Sequence, residues 1–427
     1  MKKLNFWVIK VGEPAVFNKK LKKIKPLRAA MVAQHLCNQG NDVTWWTSNF
    51  QHHDKSKIFQ NNTFNRETKN NLVIEYIPSI GYKNNVSIRR FIDQIVLAKN
   101  VSNEINKRQV PDLIFCAWPL IELTDVFYKY AKKNNIPIVI DIRDQWPDFL
   151  YRRFFEKIKI SCNWKFLPYY EGILKKCFFG ADSLISISPS FLNWAYERSG
   201  RKKHYNDAVF RLSSIDLLNI SRNEESVKKF WDGKSVNFSD KILTIVLVGT
   251  LLPQNSLYKF IDAIKDSNKN NFQFVICGSG QLANKIKSIK TKNIIYAGYV
   301  DQEKLSYLLE MSDVGLLPYD KVEDFTLSIP NKVGEYLSCG LHILTSLKGE
   351  ISKFFDNSSA VTFYDYDNPS TIKLTLKKLH GEREKIRENK HVSRKFYTSY
   401  LNEKVNYKKL ALYLIKITKN YKKNAKA

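Results

Sequence analysis

Several things are scarce in this chain, and each scarcity removes a class of protein. Among 427 residues there are 6 cysteines. None forms a CxxC pair, so a disulfide scaffold or a cysteine zinc cluster does not fit, and a reducing cytoplasm is the expected setting. Long apolar runs are missing too: the longest, near 113–121, falls short of the ~18 residues of a membrane-spanning helix. The apolar stretch 4–9 is too short for the core of a signal peptide and is cut by Lys10. There is no Walker A, GxSxG or HExxH pattern, and the first glycine loop, Gly12-Glu13-Pro14, is not GxGxxG. His52-His53 sits in a polar loop without metal-like partners, so the pair is expected to be solvated.

Acidic residues are the last shortage. The chain has 41 Asp and Glu against 69 Lys and Arg, a net charge of +28. The imbalance is local. Residues 1–203 hold 34 basic and 17 acidic residues, and residues 396–427 hold 8 and 1. Residues 251–370 hold 12 and 14, so a uniform lysine bias is excluded. The first half and the tail are expected to face something anionic, whether nucleic acid, a membrane surface or a phosphorylated substrate.

What is present is an ordinary globular composition, 44% hydrophobic and 26% charged, over a length that suits two or three domains. Short β-branched and aromatic runs alternate with helix-period segments. Strands are expected at 4–11, 43–47, 72–77, 112–118, 136–142 and 183–188. One intervening helix has Pro26 near its start, Ala29, Val32, Ala33 and Leu36 on one face, and Gly40 after its end. A polar stretch near 219–240 follows, and then strands resume at 243–248, 272–277, 293–297, 314–318, 342–345 and 361–364. Such alternation predicts helix-covered parallel sheets, and the restart predicts a second doubly wound domain. The expected division is a first domain over 1–215, a linker over 216–240, a second domain over 241–395 and a basic helical tail over 396–427.

Ligands of open parallel sheets bind beyond the carboxyl ends of the strands. Four such ends in the second half stand out: Val248-Gly249-Thr250, Cys277-Gly278-Ser279-Gly280, Ala297-Gly298-Tyr299 and Leu317-Pro318-Tyr319-Asp320. Each glycine alone is explained by turn geometry; four ends in series form a nucleotide shelf. The segment from Ser328 to Gly340 predicts a helix with Pro330 at its first turn. Val333, Tyr336 and Leu337 then face inward, and Asn331, Lys332, Glu335 and Ser338 face outward. Its uncapped N–H groups with Lys332 beside them suit an anion, and Glu335 suits ribose hydroxyls. The alternative is a helix capped by Ser328 with Lys332 and Glu335 as a solvated ion pair. In the first half, Asp141-Ile142-Arg143-Asp144-Gln145-Trp146-Pro147-Asp148 crowds three carboxylates and an arginine at a strand end, which is costly unless solvated or used. There the alternative is a turn built on Asp144, with Arg143 neutralising Asp141.

These residues resemble the GT-B glycosyltransferases of retaining family 4, closest to the bacterial enzymes that build O-antigen, capsule and related polysaccharides on a lipid carrier. The likeness spans nearly the whole chain. It is carried by Gly40-Asn41-Asp42-Val43-Thr44, the Asp141–Pro147 run, Ala181-Asp182-Ser183, the glycine ends of the second half, Ser312-Asp313-Val314, and Pro330-Asn331-Lys332 with Glu335-Tyr336-Leu337. It implies two Rossmann-like domains facing across a cleft, with the tail crossing back to the first. It also implies a donor site at Gly249, Thr250, Gln254, Gly278, Gly280, Tyr299, Asn331, Lys332 and Glu335, the last holding the ribose. Two departures from the family stand out. The partner of the usual glutamate pair is Leu327, and the usual diphosphate-binding Arg and Lys are Thr250 and Asn255. Lys332 and Arg143 are then the candidates for neutralising phosphate. Asp144, with Arg143 and Asp141, is the catalytic candidate, and Gly12-Glu13 the acceptor-side loop.

The resemblance implies a retaining transfer from a nucleotide sugar, with UDP expected, to a lipid-linked saccharide acceptor, without metal or other cofactor. A nucleotide-sugar 2-epimerase of the same fold and a basic nucleic-acid-binding protein are the rivals. The epimerase leaves the basic first half unexplained, and no nucleic-acid module is recognisable. Lys19, Lys20, Lys22, Lys23 and Lys25 fall within seven residues, and 151–160 interleaves basic and aromatic residues. Both predict peripheral docking on an anionic membrane, at its cytoplasmic face.

Overall fold

The computed structural model describes residues 3–13, 27–52, 54–84, 87–148, 168–252, 257–265, 271–289, 291–319, 323–365 and 367–424. The five lysines from Lys19 to Lys25, Gln254 and the segment 151–160 lie outside the described residues. The chain forms two compact units, Met1–Phe210 with Val405–Ala427, and Arg211–Lys404.

The strands of the first unit are β1 (Asn5–Ile9), β2 (Asp42–Ser48), β5 (Asn65–Lys69), β6 (Leu72–Ile77), β7 (Leu113–Trp118), β8 (Ile138–Ile142), β9 (Ser183–Ser186) and β10 (Ala208–Val209). A two-residue hairpin, β3 (Phe50–Gln51) with β4 (Ser56–Lys57), follows β2. The eight-stranded sheet runs β10-β9-β8-β7-β1-β2-β6-β5, parallel except for β5. Strand order reverses direction between β1 and β7, so the crevice of this sheet opens there. Near-continuous apolar runs make the central strands, because helices cover both faces of a parallel sheet. Trp7 and Trp46 meet edge-on at 5.2 Å, and Phe127 and Tyr130 close the same aromatic cluster. The helix Glu403–Asn424 places Tyr407, Leu410, Ala411, Leu414 and Ile417 in the core of this unit. Its Tyr413 hydroxyl meets Ser183 Oγ at 2.5 Å.

The second unit contains β11 (Leu243–Val248), β12 (Phe272–Cys277), β13 (Ile294–Gly298), β14 (Val314–Leu317), β15 (His342–Thr345) and β16 (Val361–Phe363). They form one parallel sheet in the order β13-β12-β11-β14-β15-β16. This is the doubly wound order with its switch point between β11 and β14. All twelve strands expected from the sequence are present. The weakly patterned β3, β4, β5 and β10 went unread, because edge and two-residue strands carry little alternation.

Residues 216–240, expected as a linker, are instead built into the second unit. Asn223 caps a helix over Glu224–Asp232, accepting from Ser226 N at 3.0 Å. Val227 and Trp231 of that helix are buried in the unit's core, and Trp231 Nε1 donates to Lys304 O at 3.1 Å. Two buried residues among charged ones were too sparse to show a period. Late in the unit, Arg394 grips Asp216 through both terminal nitrogens at 2.7 and 2.9 Å.

His342 on β15 is buried, with Nε2 2.8 Å from Thr362 Oγ1, and burial pushes its pKa down to about 4. An unfolded histidine titrates near 6.5. Between those values the unfolded chain takes up a proton that the folded chain refuses. Stability is therefore complete above pH ~6.5 and falls as the pH drops toward 4, by up to about 3 kcal/mol from this group. Urea unfolding of the wild type and of His342→Asn should show the variant's stability closing on the wild type across that window.

Candidate functional site

Two groups of residues gather at carboxyl edges, one on each sheet. In the first unit, the loop after β1 carries Lys10, Gly12 and Glu13, and the loop after β8 carries Arg143 and Asp144. Asp141, near the end of β8, is fully buried. Arg28 opens the helix Arg28–Asn38 and grips Asp141 with Nε at 2.9 Å and Nη2 at 2.8 Å, while Nη1 donates to Phe210 O at 2.7 Å. A cation at a helix N-terminus opposes the helix dipole, so this placement needs the Asp141 charge. Arg143 donates from Nε to Asp141 at 2.6 Å and from Nη1 to Glu13 Oε1 at 2.5 Å. The other Glu13 oxygen accepts from Ala29 N at 2.9 Å, holding a carboxylate at the helix start.

The network is a closed chain of opposite charges. Burial alone would raise the Asp141 carboxyl, but the Arg28 and Arg143 guanidiniums together outweigh it and hold it below the usual carboxylate range. Burial, then Arg143, pulls the Lys10 ammonium below the usual lysine value. Arg143 Nη2 is buried without a hydrogen-bond partner. Of the three catalytic candidates, Asp141 and Arg143 thus hold each other, as the alternative reading of this loop has it. Asp141, enclosed on all sides, is an anchor of the loop rather than a group open to a substrate. Asp144 is half-buried beside them. The sequence analysis missed Arg28 and Lys10. Their signal was a cation in the first turn of a helix and another at a buried strand's end. Asp148 turns away to accept from Trp194 Nε1 at 2.7 Å.

In the second unit the glycine ends of β11 and β12 interlock. A Cβ on Gly278 would stand 1.8 Å from Gly249 O, and one on Gly280 would stand 2.5 Å from Leu251 O. Both glycines have positive φ, 139° and 148°. Side chains are excluded at these positions, and the backbone there can approach a ligand closely. Gly298 ends β13 and Tyr299 follows it, 81% exposed. The helix Asn331–Ser338 begins without a side-chain cap; Pro330, rather than Ile329 or Ser328, is the residue before its first turn. A Cβ on Gly249 would lie 3.8 Å from Lys332 Cε, so the lysine stem passes over the end of β11. Lys332 Nζ donates to Glu335 Oε2 at 2.6 Å, with both side chains partly buried. Burial, then the Glu335 carboxylate, pushes the Tyr319 hydroxyl up to about 12.

The outward face of this helix is narrower than expected. Asn331 is exposed and Lys332 and Glu335 are half-buried, but Ser338 is fully buried, donating to Glu335 O at 2.7 Å. Tyr336, read only as core, ties the switch point together. Its hydroxyl accepts from Val248 N at 2.9 Å and donates to Leu316 O at 3.3 Å, bridging β11 and β14. Gly249, Gly278, Gly280, Lys332 and Glu335 therefore share one carboxyl edge, with Asn331 and Tyr299 at its margins. Among the described residues no group of three or more His, Cys, Asp or Glu is placed to hold a metal.

Residues 243–379 match the family model of glycosyl transferases group 1. No curated protein is significantly similar in sequence. Among solved structures, a sucrose-phosphate synthase from Thermosynechococcus elongatus is similar with a TM-score of 0.67 at 13% identity, covering 99% of both chains. An alpha,alpha-trehalose-phosphate synthase (UDP-forming) from Burkholderia vietnamiensis gives 0.68 at 11% identity, covering 98% of this chain and 100% of that one. HepE of Anabaena, in complex with UDP, gives 0.63 at 10% identity, covering 97% and 100%.

Asp141→Asn preserves size but leaves the buried Arg28 guanidinium without its counter-charge and Arg143 with Glu13 alone, and should cost about 3–5 kcal/mol of stability in urea unfolding at neutral pH. The folded carboxyl titrates below its unfolded value near 3.9. The wild type's advantage should therefore hold above that pH and shrink as the medium is acidified through it. With the doubly wound units of a GT-B fold and a group 1 glycosyl transferase domain in the second of them, the chain is a glycosyltransferase.

Proposed function

We propose that this glycosyltransferase transfers a sugar, with retention, from a UDP-linked donor to a lipid-linked saccharide acceptor in cell-surface polysaccharide biosynthesis. The observation that carries the donor half is the edge at the switch point of the second unit. There, close-packed glycines, an uncapped helix start, Lys332 and Glu335 converge. Backbone N–H groups and Lys332 suit a diphosphate, and Glu335 suits ribose hydroxyls. UDP is supported by the UDP complex of HepE and the UDP-forming trehalose-phosphate synthase. The Lys332–Glu335 ion pair leaves the carboxylate's second oxygen for such a bond.

In the transfer, the bond from the sugar's anomeric carbon to the diphosphate oxygen breaks as a bond to the acceptor oxygen forms on the same face. The acceptor's proton passes to the leaving diphosphate, so no protein nucleophile is required. Asp144 is the first unit's candidate for orienting the donor sugar or acceptor. The acceptor half of the proposal rests on the resemblance and on the charge of residues 1–203. Among the described residues no helix is long and apolar enough to cross a membrane. The docking proposed from the basic first half is peripheral, at the cytoplasmic face.

Thermal-shift measurements with UDP, ADP and GDP test the donor. UDP at about 100 times its dissociation constant should add about 2.7 kcal/mol of stability, and a protein that responds to none of the three would refute the reading. Glu335→Ala should weaken UDP binding by about 1–3 kcal/mol with little effect on folding, the range for losing hydrogen bonds to a charged group. Unchanged binding in the folded variant would remove Glu335 from the site. Asp144→Asn should lower turnover about 100-fold or more, the scale of a positioned acid or base, while leaving UDP affinity near that of the wild type. Activity retained within a few-fold would make Asp144 structural.

A further inference from the structure

A groove of ≈ 580 Å³ opens in the first unit, between the β3–β4 hairpin, the 80–84 loop and the start of the helix Ile88–Glu104. Lys55, Lys57, Lys83 and Arg89 line it, and no carboxylate is among its described lining residues. The Asp93 carboxylate is turned inward, accepting from Ser79 Oγ at 2.5 Å and from Ile80 N at 2.9 Å. Tyr82 also lines it, with Lys55 Nζ 4.9 Å and Arg90 Cζ 5.6 Å from its ring centre. Burial, then Arg90, pulls the Lys55 ammonium below the usual lysine value, the direction expected where like charges crowd.

Beside the groove, the same helix exposes Ile88, Ile92 and Ile95, at 79%, 47% and 52%. Their spacing of i, i+4 and i+7 puts them on one face, and Arg89 borders that row. An exposed isoleucine alone needs no explanation, but three in register beside a basic groove form an interfacial pattern. We propose that this face is the membrane-docking surface of the first unit. The isoleucine row lies against an anionic bilayer, and the groove takes a phosphate-bearing lipid headgroup. Charge complementarity selects the occupant, since the lining residues bring four cations and no carboxylate to the groove. The inference rests on the membrane-acceptor reading above but locates docking on residues independent of the Lys19–Lys25 run.

The test is co-sedimentation of the full chain with phosphatidylcholine vesicles, with or without phosphatidylglycerol. Three variants are compared with the wild type: Ile88→Ser/Ile92→Ser/Ile95→Ser, Lys55→Gln/Lys57→Gln/Lys83→Gln/Arg89→Gln, and Lys19→Gln/Lys20→Gln/Lys22→Gln/Lys23→Gln/Lys25→Gln. Circular dichroism melts confirm that each is folded. Each cation near an anionic leaflet changes partitioning by roughly fivefold. The groove variant should therefore lose at least tenfold on anionic vesicles, and the isoleucine variant should lose binding even at low salt. Wild-type indifference to phosphatidylglycerol overturns the proposal, as does wild-type binding by both the groove and isoleucine variants. Loss confined to the Lys19–Lys25 variant overturns this surface while leaving membrane docking in place. Saturable binding of inorganic diphosphate in the groove without vesicle binding assigns the groove to a soluble phosphate and also overturns it. A UDP thermal shift on the same samples reads the donor site separately, so failure here is distinguishable from failure of the transferase reading.

Discussion

A carboxylate with no exposed surface decides how the first unit is built at its carboxyl edge. Asp141 ends a strand buried on both faces, where an isolated charge would be driven to neutralise. It stays ionised because Arg28 arrives from the helix after β1 and Arg143 from the loop after β8. Glu13 then answers the second charge of Arg143 and, through Ala29 N, the start of the same helix. The loops after β1 and β8 and the helix Arg28–Asn38 are thus locked to one another. Asp144 inherits its position from that lock, one residue beyond Arg143.

The second unit reaches a similar end by opposite means. Instead of buried charge, its switch point uses close backbone approach and a single hydroxyl. Gly249 and Gly278 touch so tightly that no side chain fits between them, and the Tyr336 hydroxyl joins β11 to β14 across the point where strand order reverses. The charged pair there, Lys332 with Glu335, is partly solvated. Charge at the first unit's carboxyl edge is structural and largely enclosed; charge at the second unit's edge is partly exposed. Within the exposed charge of the first unit, the groove cations stand apart from that enclosed network.

Much of this was legible in the chain. The apolar runs announced both parallel sheets, since a strand covered on two faces must be apolar throughout. The glycine ends announced the close turns after β11 and β12, because those backbone angles favour glycine. The segment 219–240 was not legible as part of the second unit, since its helix is anchored by only two buried residues, Val227 and Trp231. Ser338 was placed outward by helical spacing, yet it is buried, because contacts on either side of that short helix narrow its solvent face.

The sequence by itself therefore determined the class of fold and the kinds of residue at each strand end, because local period and glycine chemistry act over a few residues. Only the tertiary structure decided which charges neutralise each other. Arg28 and Asp141 lie 113 positions apart, and Arg143 and Glu13 lie 130 apart. No periodicity relates residues at such distances. Their pairing is set by the order of the strands in the sheet, which puts β1 and β8 on either side of β7, and that is a property of the folded chain.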